Sequence, residues 1–264
     1  MADYETILLD LDEATGIAIM TLNRPDRANT INAQLGRDIV DAMGALERED
    51  AARVVIITGA GKHFCGGADL RRGEGDSPGE RNSLANLQNV MNRIEDSTLP
   101  AIAAINGACM GGGCEMALAC DVRIMAEGAT IGQPEIRFGG LPGAGGTQRL
   151  ARVVGPARAK EIIFSGRHLS AADAERWGLV SYVVPGAELM DRARELALEF
   201  AQRAKYALSA AKFLINHSMD VDLATGLKTE LRVIARMATR EEQAKERDRA
   251  AASEDTYRRI FRRE

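Results

Sequence analysis

Leu99-Pro-Ala-Ile-Ala-Ala-Ile-Asn-Gly-Ala-Cys-Met-Gly-Gly-Gly-Cys-Glu115 decides the fold. Pro100 to Ile105 is a short, continuous apolar run, which reads as a strand buried on both faces. Gly107 to Gly113 turns the chain, and Gly112 to Ala119 reads as a short helix. Val122 to Met125 is a further strand. The same order of strand, Gly-rich turn and helix recurs upstream. There Arg53-Val-Val-Ile-Ile-Thr58 is a buried strand, Gly59-Ala-Gly61 ends it, and a helix is expected over 81–96 after the polar 72–79 stretch. Further upstream, Ile7, Leu9 and Leu11 share one face and are followed by Ile17, Ile19 and Thr21, the pattern of a β-hairpin. Asn32 is placed to cap a helix carrying Leu35, Ile39, Met43 and Leu46 at helical spacing. Downstream, Gly139 to Gly146 is a second Gly-rich turn that opens a helix near 147–153. From Pro156 the chain reads as helix throughout, apart from Leu179 to Val184. Strand and helix alternating over the first two-thirds give an α/β core.

Composition narrows the functions. The 264 residues suit one large domain, or one domain with a small appendage, and 45% hydrophobic with 27% charged is ordinary globular usage. A formal net charge of −4 argues against a protein held to nucleic acid by bulk charge. The first ten residues, MADYETILLD, lack the basic and apolar regions of a secretory signal. The expected location is therefore cytoplasmic, with Cys65, Cys109, Cys114 and Cys120 reduced. Their spacing matches no zinc pattern, so no metal is expected. Leu99 to Met110 is too short to span a bilayer, and no membrane partner is expected.

Several familiar motifs fail on inspection. Thr58-Gly-Ala-Gly-Lys62 resembles part of a phosphate loop, but Ile56 stands where the first Gly is needed. No Gly-x-Gly-x-x-Gly follows a strand, and there is no Gly-x-Ser-x-Gly elbow. His63-Phe-Cys-Gly-Gly-Ala-Asp-Leu70 is more informative, because Gly66 and Gly67 allow a sharp turn that leaves the Ala68 N–H free. Gly112 falls at a helix N-terminus, where N–H groups are unpaired and favour negative charge. Two such amides can form an oxyanion hole. Each turn alone is more often structural. Glu115, in the first turn of an otherwise apolar helix, either complements the helix dipole or edges a dry pocket where its pKa rises. Glu135, in Gly132-Gln-Pro-Glu-Ile136, lies on a separate loop. By itself it reads as an exposed acid, and beside Glu115 it reads as the second member of a pair sharing a water.

The chain closely resembles the enoyl-CoA hydratase/isomerase (crotonase) superfamily. The matching blocks are Leu22-Asn-Arg-Pro25, Phe64-Cys-Gly-Gly-Ala-Asp69, Leu99 to Gly107, Gly111 to Glu115, Gln133-Pro-Glu-Ile136, Leu141 to Arg149 and Ala174 to Val180. The resemblance weakens after about Asn216. It implies a spiral of ββα units over 1–200, with a C-terminal helical region over 201–264 for trimerisation and active-site cover. The expected assembly is a homo-oligomer, a hexamer formed as a dimer of trimers. The implied activity is reversible addition of water across the C2=C3 bond of a trans-2-enoyl-CoA in fatty-acid β-oxidation. No cofactor is implied, since coenzyme A is part of the substrate. Glu115 and Glu135 would be the acid/base pair, Ala68 and Gly112 the oxyanion amides, and Gly143 the residue beside the water. Lys62, Ala68, Asp69, Leu70, Arg71, Arg27 and Ala28 would contact the CoA thioester. Asp26 stands where mitochondrial-type hydratases often have Lys, and Ala244-Lys-Glu-Arg-Asp-Arg249 departs from the usual tail. The alternatives are a hydratase of a cyclic or branched enoyl-CoA, an enoyl-CoA isomerase using one carboxylate, and a non-catalytic binding relative.

Overall fold

The structure, a computed structural model, describes residues 3–69 and 84–237. Strands β1 (Ile7–Asp12) and β2 (Ile17–Leu22) form the expected antiparallel hairpin. The register corrects one expectation. Ile7 lies opposite Leu22, Leu9 opposite Met20 and Leu11 opposite Ala18. Cross-strand partners share a face, so Ala18, Met20 and Leu22 point inward and are fully buried, while Ile19 and Thr21 are only partly so. Helix α1 (Ala33–Arg48) starts at Asn32, whose Oδ1 accepts the Leu35 N–H at 2.9 Å.

From there the chain coils. Strand β3 (Val54–Gly59) leads into the three-residue β4 (His63–Cys65), and helix α2 (Leu84–Glu95) completes the turn. Next come β5 (Ala101–Ile105), β6 (Ala108–Met110) and α3 (Gly112–Ala119). Then follow β7 (Val122–Ala126), β8 (Thr130–Gly132), a 3-10 turn at Glu135–Phe138, and α4 (Gly146–Val154). The first strand of each coil joins a six-stranded sheet ordered β1-β2-β3-β5-β7-β10, and the second joins a four-stranded sheet ordered β4-β6-β8-β9. This is the expected ββα spiral. Strands β3 and β5 are buried along their whole length, as their continuous apolar sequence requires.

Helix α5 (Pro156–Ser165), β9 (His168–Ser170), α6 (Ala171–Arg176) and β10 (Tyr182–Val184) close both sheets. Helix α7 (Leu189–Ala201) packs over β2, β3, β5 and β7. Strand β9 interrupts what the sequence reads as unbroken helix. Three residues are too few to show a period, and β9 is fixed by its antiparallel pairing with β8.

Helices α8 (Lys205–His217) and α9 (Leu223–Ala235) follow. The buried residue of α8 is Lys212 rather than an apolar one. Its Nζ donates to Asp121 Oδ2 at 2.9 Å and to the carbonyls of Ile94 and Leu99, each at 3.1 Å. Among the described residues, no helix is long and apolar enough to cross a membrane.

Candidate active site

Strands β4 and β6 are parallel neighbours, so the turns that follow them lie side by side. Gly67, at φ +102°, sends the chain back past Ile31. Ile31 donates to Gly67 O at 2.8 Å, and the Asp69 N–H donates to Ile31 O at 2.9 Å. In an extended chain, alternate amides point to opposite sides. The Ala68 N–H therefore faces away from Ile31, and it has no acceptor among the described residues. Gly112 opens α3, and its N–H likewise has none. The two turns are in contact: a Cβ on Gly112 would lie 3.3 Å from Ala68 N, and one on Gly67 would lie 3.4 Å from Gly112 N.

A hydrogen-bonded cradle holds the first turn. Ala28 and Asn29 adopt φ of +50° and +54°, a left-handed pair that costs energy without glycine. The buried Asn29 side chain accepts from Arg24 N at 2.9 Å and donates to the carbonyls of Ala60 (3.0 Å) and His63 (2.8 Å). Ala28 O accepts the Gly66 N–H at 2.8 Å. Arg24 pairs with Asp69 at 3.0 Å and donates to Thr30 O. In sequence, Arg24 and Asn29 are unremarkable loop polars, and only the tertiary contact shows their use.

Glu115 is 2% exposed. Its Oε1 accepts the N–H groups of Ala144 and Gly146, both at 2.7 Å. Gly146 is the first residue of α4, so the positive end of that helix also faces the carboxylate. Burial pushes the Glu115 pKa up, while the two N–H donors and Arg149 pull it back. Glu135 begins the 3-10 turn, where a plain loop is expected from the sequence. Burial and the neighbouring Glu115 charge raise its pKa from 4.5 to about 7. Buried Gln133 turns its amide nitrogen to Glu135, 2.9 Å from Oε1 and 3.2 Å from Oε2. Gly111, at φ +54°, borders Glu135: a Cβ there would sit 3.1 Å from Glu135 Oε1. The fold brings the two acids close enough for the Glu115 charge to act on Glu135, with Gln133 and Arg149 beside them, two neighbours that the sequence does not reveal.

The residues expected around CoA are spread along the rim. Lys62 is exposed between β3 and β4, and Arg27 is exposed at the end of a 3-10 turn. Ala28 and Ala68 are half-buried, and the Asp69 carboxylate faces Arg24. Leu70 and Arg71 lie outside the described residues. Gly143 sits in the turn that carries Ala144, and its carbonyl accepts from Gln88 at 2.8 Å. The four thiols are buried and unbridged. Burial pushes Cys65 and Cys120 up to about 12 and Cys114 higher still, which leaves them inert as nucleophiles. Trp177 packs against the core edge between Arg158 and Arg167.

Comparison with known proteins identifies the family and the fold. A family model described as enoyl-CoA hydratase/isomerase matches residues 12–251. A short-chain-enoyl-CoA hydratase of Clostridium acetobutylicum is 38% identical over 235 residues, covering 88% of this chain and 90% of that one. An enoyl-CoA isomerase/hydratase of Mycosarcoma maydis is 40% identical over 228 residues, 83% of each chain. The crystal structure of an enoyl-CoA hydratase from Bacillus anthracis superposes with a TM-score of 0.83 at 40% identity, covering 88% of this chain and 90% of that one. With its coiled ββα core and this likeness over nearly its full length, the chain belongs to the enoyl-CoA hydratase/isomerase family.

Proposed function

We propose that the protein is an enoyl-CoA hydratase that adds water reversibly across the C2=C3 bond of a trans-2-enoyl-CoA thioester. The observation that carries this reading is the placement of a buried carboxylate, Glu115, and a half-buried one, Glu135, beside two unpaired amides. The thioester oxygen accepts the N–H groups of Ala68 and Gly112, which stabilise the enolate that forms. One such donor is worth about 3–4 kcal/mol. Glu115 holds a water next to Gly143, takes its proton and directs its oxygen to C3. Glu135 gives a proton to C2. A pKa of about 7 keeps much of Glu135 protonated at neutral pH, as a donor requires. The two acids titrate as a pair, and proton exchange with solvent resets them.

The rim residues Lys62, Arg27, Ala28, Ala68 and Asp69, with Leu70 and Arg71, would receive the CoA portion. Self-association would use the C-terminal helices, as a trimer that stacks into a hexamer. Support comes from apolar residues on α8 and α9 left facing solvent, Leu223 at 79% and Leu231 at 69% among them. Sedimentation reads the mass directly, and a monomer would end that part of the proposal.

The activity test is hydration of crotonyl-CoA, followed as loss of the conjugated thioester absorbance. The expected result is turnover that falls by orders of magnitude in Glu115→Gln and in Glu135→Gln. Near-normal hydration in Glu135→Gln would refute the two-carboxylate mechanism. Inertness of the folded wild type toward crotonyl-CoA, with activity on a ring or branched enoyl-CoA, would redirect the substrate assignment.

A further inference from the structure

We propose that Arg149 is a positioning residue that clamps the 142–146 turn to α2 and so fixes where the Glu115 carboxylate stands. The inference rests on the hydratase reading above and extends it to residues that touch no substrate.

Arg149 lies in the first turns of α4, and its side chain is 13% exposed. All three guanidinium nitrogens are engaged. Nη1 donates to Ala144 O at 3.0 Å, Nε to Glu95 Oε2 at 3.0 Å, and Nη2 to Asn92 Oδ1 at 2.8 Å and also to Glu95 Oε2. Ala144 is thus held twice, by its carbonyl through Arg149 and by its N–H through Glu115. The peptide between Gly143 and Ala144 is likewise strung between two side chains. Its carbonyl takes the Gln88 amide at 2.8 Å, and its N–H goes to Glu115 at 2.7 Å.

Gln88, Asn92 and Glu95 fall at i, i+4 and i+7, which puts them on one face of α2. The adjoining face of that helix buries Leu87, Val90, Met91 and Ile94 in the core. A polar stripe on an anchored helix therefore grips the turn that holds Glu115. Helix α8 secures the end of α2 in its turn, with Lys212 Nζ on Ile94 O at 3.1 Å and Asn216 Nδ2 on Glu95 O at 3.1 Å. A planar guanidinium can serve three acceptors at fixed angles, and an ammonium cannot reproduce that fork. The positive charge also favours the ionised form of Glu115.

The test compares wild type, Arg149→Ala, Arg149→Lys, Glu95→Gln and Glu47→Gln in crotonyl-CoA hydration, with thermal melts of each. Glu47 pairs with Arg93 on another side of α2, away from the 142–146 turn, so its loss measures stability alone. Loosening a group that orients a reacting water should cost kcat roughly tenfold to a hundredfold. The expected result is that loss in Arg149→Ala with KM little changed, and most of it persisting in Arg149→Lys. Added guanidinium should restore part of kcat to Arg149→Ala. Glu95→Gln, which keeps the Ala144 contact, should fall in the same direction by less, and Glu47→Gln should keep kcat. Should Arg149→Ala fail to fold, Glu95→Gln and Gln88→Ala carry the same prediction. An active wild type whose clamp variants keep kcat, or lose it only in proportion to their loss of melting temperature, overturns the clamp alone. An inert wild type overturns the hydratase reading, and the clamp with it.

Discussion

Replacing Glu135 with Gln tests the site without any substrate. In the folded protein this carboxyl is raised from 4.5 to about 7, chiefly by burial and next by the Glu115 charge. A raised pKa means the native state holds the proton more tightly than the unfolded chain does. The associated stability is fully present below pH 4.5 and is lost as the pH climbs through about 7. A rise of this size corresponds to at most ~3.4 kcal/mol of destabilisation once the group is fully ionised. Glu135 is only partly buried, so solvent screening cuts this to roughly half, ~1.5 kcal/mol. In a chain of this size, 1 kcal/mol moves the melting temperature by about 2–4 °C. An amide in place of the carboxyl cannot ionise, so the variant escapes the penalty. The assay is paired melts of wild type and Glu135→Gln from pH 5 to pH 8. At pH 5 the two should melt close together. By pH 8 the variant should melt higher by about 3–6 °C. Titrating groups remote from Glu135 cancel in the difference, and Glu115, relieved of the neighbouring charge in the variant, widens the gap in the same direction. A gap that stays constant with pH, or that narrows as pH rises, would refute a raised pKa at Glu135 and remove the physical basis for assigning it as the proton donor.

Two further outcomes follow from the packing. Gly111→Ala must hold φ near +54° and place a methyl 3.1 Å from Glu135 Oε1, so it should cost about 1–3 kcal/mol and lower hydration as well as melting temperature. Unchanged turnover would show that Glu135 has room to move without harm. Lys212→Met removes the buried ammonium that serves Asp121 and the carbonyls of Ile94 and Leu99, and should cost about 1–3 kcal/mol near neutral pH. Asp121 is already raised by burial, so the loss should shrink as acid protonates it, and adding Asp121→Asn should recover much of it. A double variant as unstable as the single one would place the cost elsewhere.

The larger sheet was legible in the sequence because its strands announce themselves. Val54 to Ile57 and Ala101 to Ile105 are unbroken apolar runs, and nothing else makes such runs stop at Gly59 and Asn106. The smaller sheet was not legible. Strands β4, β6, β8 and β9 are three residues each, shorter than any period, and they exist because neighbouring coils stack. The β2 face was misread for a related reason: Ile19 is the more hydrophobic residue, but the pairing register places Met20 and Ala18 inside. At the site, the glycine turns and Glu115 stood out as candidates because glycines and an isolated carboxylate are conspicuous in apolar sequence, while Glu135 was singled out only beside Glu115 and through the family resemblance. Arg149, Gln88 and Gln133 could not, since polar residues on a helix or loop look solvated until their partners, 55 positions away for Gln88, are known.

The stacking of the coils has a consequence for the two amides proposed as an oxyanion hole. Ala68 and Gly112 follow adjacent strands of one sheet, and neighbouring strands run about 4.8 Å apart. Two donors at that separation can both reach a single oxygen at ~2.9 Å. The spiral's own pitch therefore acts as the gauge of the pocket. Side-chain substitutions nearby can swap the acids, yet they leave that gauge alone. Only an insertion or deletion between the coils would reset it. On the proposed reading, the grip on the thioester oxygen is thus set by backbone spacing, and the proton transfers are left to side chains.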